Sequence, residues 1–99
     1  MKNTVIVVGG GVGGLAAAAL LGKQGYDVTV LEQNPFLGGR MRVFHQDEYV
    51  IDAGPSWYLM PEVFDHFFAL FGKESSDFYQ LEKLDPSYRV LFEDGRTST

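Results

Sequence analysis

Three consecutive glycines interrupt the chain directly after its first apolar run, and they constrain the fold more than any other feature. Thr4–Val8 is continuous and mostly β-branched, which is typical of a parallel strand buried on both faces. The glycine-rich segment Gly9-Gly-Gly-Val-Gly-Gly14 follows it. The alanine- and leucine-rich residues 15–21 then favour a helix, which Gly22 or Gly25 can end.

A second apolar strand and an acidic residue complete this pattern. Val28–Leu31 predicts the strand, and Glu32 closes it. Because parallel strands need a crossover connection, the order strand, glycine turn, helix, strand predicts a βαβ unit. In that context Gly9-x-Gly11-x-x-Gly14 matches the fingerprint of a dinucleotide-binding turn.

Physical chemistry gives each residue of the fingerprint a role. Gly9 permits the tight turn, Gly11 lets the backbone approach a pyrophosphate, and Gly14 allows the helix to pack closely on the strands. The phosphates would lie at the helix N-terminus, where unpaired N–H groups favour anions. Glu32 can accept a hydrogen bond from the adenosine ribose, and its charge disfavours the 2′-phosphate of NADP. The alternative is that the glycines only build turns and Glu32 is a solvated strand end.

Composition narrows the class of protein. Hydrophobic residues make up 45% of the 99, which is ordinary for a globular chain and excludes intrinsic disorder. Thirteen acidic and eight basic side chains give a net charge of −5, and the basic residues are scattered along the chain. Because no stripe of basic residues is present to neutralise phosphates, we do not expect a nucleic-acid partner. Cysteine is absent, which excludes disulfides and thiolate metal sites. The first apolar run is too short for a signal peptide or a membrane span.

A second glycine turn follows the βαβ unit. Gly38-Gly39-Arg40 combines consecutive N–H groups, which can form an anion nest, with a guanidinium that suits a phosphate oxygen. The two glycine turns together suit the binding of a pyrophosphate from both sides. Arg40–Phe44 and Tyr49–Asp52 then predict a β-hairpin around residues 45–48.

The last third of the chain predicts a helix and the beginning of a further hairpin. Pro61–Phe71 has proline at its first position and one broad apolar face, and Gly72 follows its end. Tyr88–Phe92 predicts a strand, and the Asp-Gly pair at 94–95 predicts a tight turn. Only three residues follow Arg96, so we expect the chain to be the N-terminal fragment of a larger protein.

The same residues resemble a known group of flavoproteins. Residues 5–17, Val30-Leu-Glu32 and Gly38-Gly39-Arg40 look like the FAD-binding start of the two-dinucleotide-binding-motif flavoproteins, which include amine oxidases, protoporphyrinogen oxidases and carotenoid desaturases. Ile51-Asp-Ala-Gly-Pro-Ser-Trp57 and Leu84–Gly95 are most similar to the bacterial phytoene desaturase family.

The resemblance implies an α/β, Rossmann-like FAD/NAD(P)-binding domain, in which a parallel βαβ unit starts a three-layer sheet with β-hairpin additions. It implies FAD as the cofactor, residues 1–72 as the FAD-binding part, and residues 73–99 as the start of a truncated substrate-domain segment. The implied cofactor-binding residues are the two glycine turns, the acidic strand end and the loop near the flavin: Gly9, Gly11, Val12, Gly13, Gly14, Glu32, Gln33, Gly39, Arg40, Gly54, Pro55, Ser56 and Trp57. It names no catalytic residue and no metal ligand.

The implied activity is an FAD-dependent oxidoreductase that acts on CH–CH groups and desaturates a carotenoid precursor such as phytoene. The implied partner is a lipophilic polyene, and the implied location is cytoplasmic, with peripheral contact to a membrane. Activity would belong to the parent protein rather than to these residues alone. An amine-oxidase-like flavoprotein and a non-catalytic dinucleotide-binding fragment are the alternatives.

Several further residues allow two interpretations. Arg42 shares the strand face of Arg40, so it either assists the phosphates or has a surface role. Asp52 either orients the flavin loop or caps a turn, and the two histidines, His45 and His66, are more simply solvated than metal-binding. The apolar side chains from Trp57 to Phe71 predict either a core face or a mouth through which a lipid-soluble substrate enters.

Overall fold

The computed structural model describes residues 3–99, which form two compact units. The first unit ends at Leu59, and the second is Met60–Thr99. The first unit contains β1 (Thr4–Val8), α1 (Val12–Lys23), β2 (Asp27–Leu31), a 3₁₀ turn (Gly39–Met41), β3 (Val43–Gln46) and β4 (Tyr49–Asp52). The second contains α2 (Pro61–Ala69), a 3₁₀ turn (Ser75–Asp77), β5 (Val90–Leu91) and β6 (Thr97–Ser98). The predicted boundary between residues 72 and 73 stays a prediction.

The predicted βαβ unit is present. β1 and β2 pair in parallel, with Thr4 opposite Asp27 and Val8 opposite Leu31, and α1 connects them and packs on both strands. The helix continues through Gly22 and ends at Lys23, so Gly25 rather than Gly22 follows its end.

Only one face of this parallel sheet is covered. Alternate residues of each strand are half-buried, while Ile6, Val8 and Leu31 are exposed. The β-branched run predicts burial on both faces, but of the described helices and strands α1 is the one that packs extensively on the sheet. The apolar composition of the strands therefore exceeds what the described residues bury.

The first hairpin starts later than the sequence predicts. Gly39–Met41 forms a 3₁₀ turn, and β3 begins only at Val43, where it pairs with Asp52 of β4. His45 and Gln46 belong to β3 rather than to the connecting turn, which is Asp47–Glu48. Positive φ angles at Gly38 and Gly39 prevent an extended strand from starting at Arg40.

Aromatic side chains hold the second unit together. The Phe67 ring lies 5.2 Å from Phe71 and 5.7 Å from Phe68, and Phe68 lies 5.0 Å from Phe78 (centroid distances). Trp57, Leu59, Met60 and Val63 are instead exposed. The predicted apolar cluster thus divides: the phenylalanines of α2 are half-buried, and Phe67 and Phe68 contact each other, whereas the residues before and at the start of the helix are exposed.

The remaining elements are short. α2 ends two residues before the predicted Phe71, and β5 contains two of the five residues of Tyr88–Phe92. The turn after β5 is closed by an Arg96–Asp94 ion pair of 2.6 Å, and β6 contains two residues. In the part of the chain from residue 3 onward, no helix has the length and apolar character needed to cross a membrane.

Candidate functional site: two adjoining glycine turns

The first glycine turn joins the end of β1 to the start of α1. Gly9 has a φ of 105°, a left-handed conformation that favours glycine, and its N–H donates to the Leu31 carbonyl at 2.7 Å. This bond extends the contact between the strands by one residue. Gly9 therefore turns the chain while it remains attached to β2.

Gly14 is required by packing rather than by its backbone angles. A Cβ built on Gly14 would overlap the Gly9 carbonyl oxygen and would lie 3.6 Å from Cγ1 of Val7. The helix backbone thus contacts the turn directly, which a side chain at this position would prevent. The packing role predicted for Gly14 is confirmed by this geometry.

Neither packing nor backbone conformation explains Gly11. Its φ of −74° and ψ of −177° are accessible to any residue, and a Cβ built there meets no described atom within 4 Å. Gly13 likewise has no neighbour within 4 Å of a built Cβ, although glycine weakens a helix. Both positions are open to an approaching ligand.

The N-terminus of α1 can accept an anion. Gly11 precedes the helix without a side-chain cap, and the first turn contains no acidic residue. The first intrahelical bond runs from the Leu15 N–H to the Gly11 carbonyl at 2.9 Å. The N–H groups of Val12, Gly13 and Gly14 precede this bond, and such groups together with the helix dipole favour a phosphate.

The second glycine turn lies directly against the first. The Gly38 N–H donates to the Gly10 carbonyl at 2.8 Å, and Gly38 forms an isolated parallel bridge with Gly11. A Cβ built on Gly39 would lie 3.2 Å from the Gly11 Cα. The structure therefore brings together the two turns that the sequence predicts to hold one pyrophosphate.

A third segment, Gly54–Trp57, begins beside the second turn. The Ala53 N–H donates to the Arg42 carbonyl at 2.9 Å, and a Cβ on Gly54 would overlap the Arg40 carbonyl oxygen. Gly54 is thus required by its contact with the Arg40 backbone. Pro55, Ser56 and Trp57 continue from it as exposed residues without regular secondary structure.

Glu32 ties the end of β2 to the first turn. Its Oε1 accepts from the Gly10 N–H and its Oε2 from the Asn34 N–H, both at 2.9 Å. These two N–H groups, Asn34 first and then Gly10, lower the pKa of the Glu32 carboxyl below its ordinary value. A carboxylate has about four lone-pair sites, so Glu32 retains acceptor capacity for a sugar hydroxyl. Gln33, next along the chain, is exposed.

The two arginines near the second turn have different surroundings. Arg40 is exposed, and within residues 3–99 its guanidinium makes no hydrogen bond or ion pair. Arg42 is half-buried, donates to the Gly39 carbonyl and lies over the Phe36 ring. The expectation that both side chains share one strand face is wrong, because Arg40 belongs to the 3₁₀ turn.

Two residues of the site were absent from the sequence-based prediction. Gly10 is buried, the only such residue among those described, and a Cβ on it would lie 2.6 Å from Cδ2 of Leu37. The sequence signal was the unbroken glycine triplet, in which the fingerprint requires only Gly9 and Gly11. Leu37 carried no comparable signal, because a leucine in a loop has many explanations.

The other polar candidates lie outside this arrangement. Asp52 ends β4, and its carboxyl makes no hydrogen bond within the described residues. His45 lies in β3 and His66 in α2, and no metal-binding group of three or more acidic, histidine or cysteine side chains occurs in residues 3–99.

Comparison with known proteins gives a family and a set of relatives. The model for NAD(P)-binding Rossmann-like domains matches residues 7–73. A solved structure titled as an oxidoreductase from Methanosarcina mazei is similar, with a TM-score of 0.50 and 36% identity. The match covers 54% of this chain and 13% of that one.

Three curated relatives match most of the chain. Carotenoid 3,4-desaturase of Haloarcula japonica is 57% identical, over 92% of this chain and 18% of that protein. Zeta-carotene-forming phytoene desaturase of Myxococcus xanthus is 48% identical, over 91% and 17%. 4,4′-Diapolycopene oxygenase of a Methylomonas species is 41% identical, over 95% and 19%. The chain therefore spans less than a fifth of each relative's length.

Proposed function

The chain belongs to the family of NAD(P)-binding Rossmann-like domains, as the fold predicts, and from this premise we propose that it supplies the FAD-binding part of a carotenoid desaturase. The predicted resemblance to phytoene desaturases is confirmed by the relatives, which match 91–95% of the chain. The cofactor, substrate and activity of the whole protein are the proposal.

One observation supports the cofactor site above the others. Gly11 is glycine although neither its conformation nor its packing requires it, and it lies where the two glycine turns meet. In our proposal, a side chain there would obstruct the approach of a ligand to the N–H groups that start α1. A ligand that approaches this backbone closely explains the residue, and a pyrophosphate has the matching charge.

The second turn favours FAD over NAD(P). A Rossmann fingerprint needs only one glycine turn, whereas here a second turn lies against the first. The Gly38 N–H joins the two turns through the Gly10 carbonyl, which leaves the Gly39 N–H as the glycine donor for a phosphate, and within residues 3–99 the guanidinium of Arg40 makes no hydrogen bond or ion pair. The Glu32 carboxylate also disfavours a 2′-phosphate on the adenosine ribose.

The site residues fit such a dinucleotide from one end to the other. In our proposal Gly9, Gly11 and residues 12–14 hold the pyrophosphate, and Gly39 and Arg40 hold it from the other side. Glu32 and Gln33 contact the adenosine ribose, and residues 54–57 continue toward the flavin. Bound FAD supplies the electron-accepting chemistry, and these residues bind and orient it.

The proposed substrate is a lipophilic polyene such as phytoene. Two of the three relatives above are named as desaturases of carotenoids and the third as an oxygenase, so oxygenation is the second candidate reaction. The proposal includes a cytoplasmic location with peripheral membrane contact. The exposed apolar side chains of Leu59, Met60 and Val63 support the membrane contact.

The test of the cofactor site is Gly11→Ala in the full-length protein, with Gly22→Ala as its matched control. A Cβ at either position meets nothing within 4 Å, but only Gly11 faces the proposed phosphates. We expect Gly11→Ala to weaken FAD binding by about 10–100-fold, since a methyl group must be accommodated against the ligand. Gly22→Ala leaves the affinity unchanged. FAD fluorescence quenching measures the affinity, and thermal unfolding of the ligand-free protein checks the fold.

Equal FAD affinity in wild type and Gly11→Ala would contradict the assignment of this turn. The reaction is tested separately: anaerobic addition of phytoene to the flavin-loaded protein is expected to bleach the flavin absorption. Bleaching by an amine but not by phytoene would favour an amine oxidase, and absence of bound flavin would favour a non-catalytic nucleotide-binding protein.

A further inference from the structure

The second glycine turn is closed by a contact between its two limbs. Phe36 precedes the glycine pair and Arg42 follows it. The Arg42 Cζ lies 4.3 Å from the Phe36 ring centroid, and its Nη1 donates to the Gly39 carbonyl at 3.1 Å. We call this set, the Phe36 ring, the Arg42 guanidinium and the Gly39 carbonyl, the Phe36–Arg42 clip.

The backbone conformation of the turn that the clip closes costs conformational entropy. Gly38 and Gly39 have φ angles of 102° and 59°, so two consecutive residues occupy the left-handed region. Glycine loses more conformational freedom on ordering than any other residue, so this turn needs contacts that fix it. The Gly38 N–H is hydrogen-bonded to the Gly10 carbonyl, and the clip supplies a contact to the Gly39 carbonyl.

The backbone of Arg42 also joins the turn to the segment after β4. The Arg42 backbone N–H donates to the same Gly39 carbonyl at 3.3 Å, and the Arg42 carbonyl accepts from the Ala53 N–H at 2.9 Å. Arg42 is therefore connected to the turn by side chain and backbone together. Arg40 lies two residues earlier, and within residues 3–99 its side chain makes neither a hydrogen bond nor a contact with an aromatic ring.

We propose that Arg42 is a positioning residue of the dinucleotide site, which holds Gly39 and Arg40 in their binding conformation through the clip without contacting the phosphate itself. The role in binding rests on the proposed function, whereas the ordering of the turn does not. The two arginines thus have different roles, since Arg40 supplies charge to the ligand, and Arg42 stacks on Phe36 and orders the backbone.

The test compares four variants of the full-length protein, namely Arg42→Ala, Phe36→Leu, Phe36→Tyr and Arg40→Ala. Amide hydrogen exchange of the ligand-free protein reports the order of the turn at the Gly38, Met41 and Arg42 amides, which donate within this region. FAD affinity at low and high salt separates direct phosphate contact from positioning, since screening weakens only the former appreciably.

We expect Arg42→Ala to speed exchange at the Gly38 and Met41 amides and to weaken FAD binding, both by about tenfold. Phe36→Leu gives the same pattern at about threefold, and Phe36→Tyr, which keeps an aromatic face, stays near wild type. All three clip variants, Arg42→Ala, Phe36→Leu and Phe36→Tyr, retain the salt dependence of wild type. Arg40→Ala weakens FAD binding, reduces its salt dependence and leaves the exchange unchanged.

Two results would overturn the proposal. Unchanged exchange in both Arg42→Ala and Phe36→Leu would show that the clip does not order the turn. A loss of salt dependence in Arg42→Ala equal to that in Arg40→Ala would place Arg42 on the phosphate. If wild type itself fails to bind FAD, the proposed function and the binding role of Arg42 both fail, while the exchange data still decide whether the clip orders the turn.

Discussion

The two glycine turns of the site adjoin each other, yet different forces hold them. Backbone atoms fix the first: Gly9 donates to Leu31, and Gly14 packs on the Gly9 carbonyl. The second also has backbone hydrogen bonds, such as that from Gly38 to Gly10, but side chains add to them, through Leu37 over Gly10 and Arg42 on Phe36. A turn built from backbone contacts tolerates little adjustment, whereas one held by side chains can relax around a change. We therefore expect substitutions in the first turn to cost more.

The largest effect is expected for Gly14→Ala. The new Cβ overlaps the Gly9 carbonyl oxygen, so either α1 or the end of β1 must shift. We expect the free energy of unfolding to fall by about 1–3 kcal/mol, as is usual for overpacking, with loss of FAD binding. Chemical denaturation of the ligand-free protein measures the first effect and FAD titration the second.

Gly22→Ala is the matched control for Gly14→Ala, because it places the same methyl group in the same helix. Its Cβ meets no described atom within 4 Å, so the higher helix propensity of alanine is expected to stabilise the protein by about 0.5–1 kcal/mol. If the two variants were equally stable, the backbone contact between α1 and Gly9 would not constrain the first turn.

A smaller effect is expected for Gly10→Ala, which probes the contact between the turns. Its Cβ would lie 2.6 Å from Cδ2 of Leu37, the far end of a flexible side chain that is 56% exposed. We expect the free energy of unfolding to fall by about 1 kcal/mol, because Leu37 can move aside. Chemical denaturation measures this loss.

The double variant Gly10→Ala/Leu37→Ala identifies the cause of that loss. Removing the leucine leaves room for the methyl group, so the double variant is expected to be more stable than the two single losses predict. Strict additivity would mean that Leu37 does not cover Gly10, and the contrast between the turns would lose its basis.

The same contrast explains which parts of the site could be predicted from sequence. Gly9, Gly11 and Gly14 lie within one local motif, where strand, turn and helix require particular residues at particular spacings. The parallel pairing of β1 and β2 and their connection by α1 follow from that motif. Local chemistry of this kind is visible in a single sequence.

Contacts between separate segments could not be predicted in the same way. The sequence predicts that Gly38 and Gly39 lie near the first turn, but not that Leu37 covers Gly10 or that Arg42 stacks on Phe36. The assignment of Arg42 to a strand failed because consecutive left-handed glycines delay the strand to Val43. Apolar and cationic side chains in loops have too many possible partners for the spacing of residues in the sequence to identify the right one.

The smallest effect is expected from Glu32→Gln, which probes the connection between β2 and the first turn. The Glu32 carboxylate accepts from the Asn34 and Gly10 N–H groups, which lower its pKa in the folded protein. A lowered pKa means that the folded state favours the ionised form. The stabilisation is thus complete above the ordinary pKa of a glutamate and is lost as the pH falls through the lowered value.

Wild type is therefore expected to unfold at a slightly higher temperature than Glu32→Gln at neutral pH, and the difference is expected to shrink as the pH falls into the acidic range. Thermal unfolding of both proteins at several pH values measures it, and the subtraction cancels the other carboxylates. Glu48→Gln, which alters a carboxylate that makes no hydrogen bond within residues 3–99, controls for the change in charge. A difference that stayed constant from neutral to acidic pH would show that ionisation of Glu32 does not stabilise the folded protein, contrary to the lowered pKa.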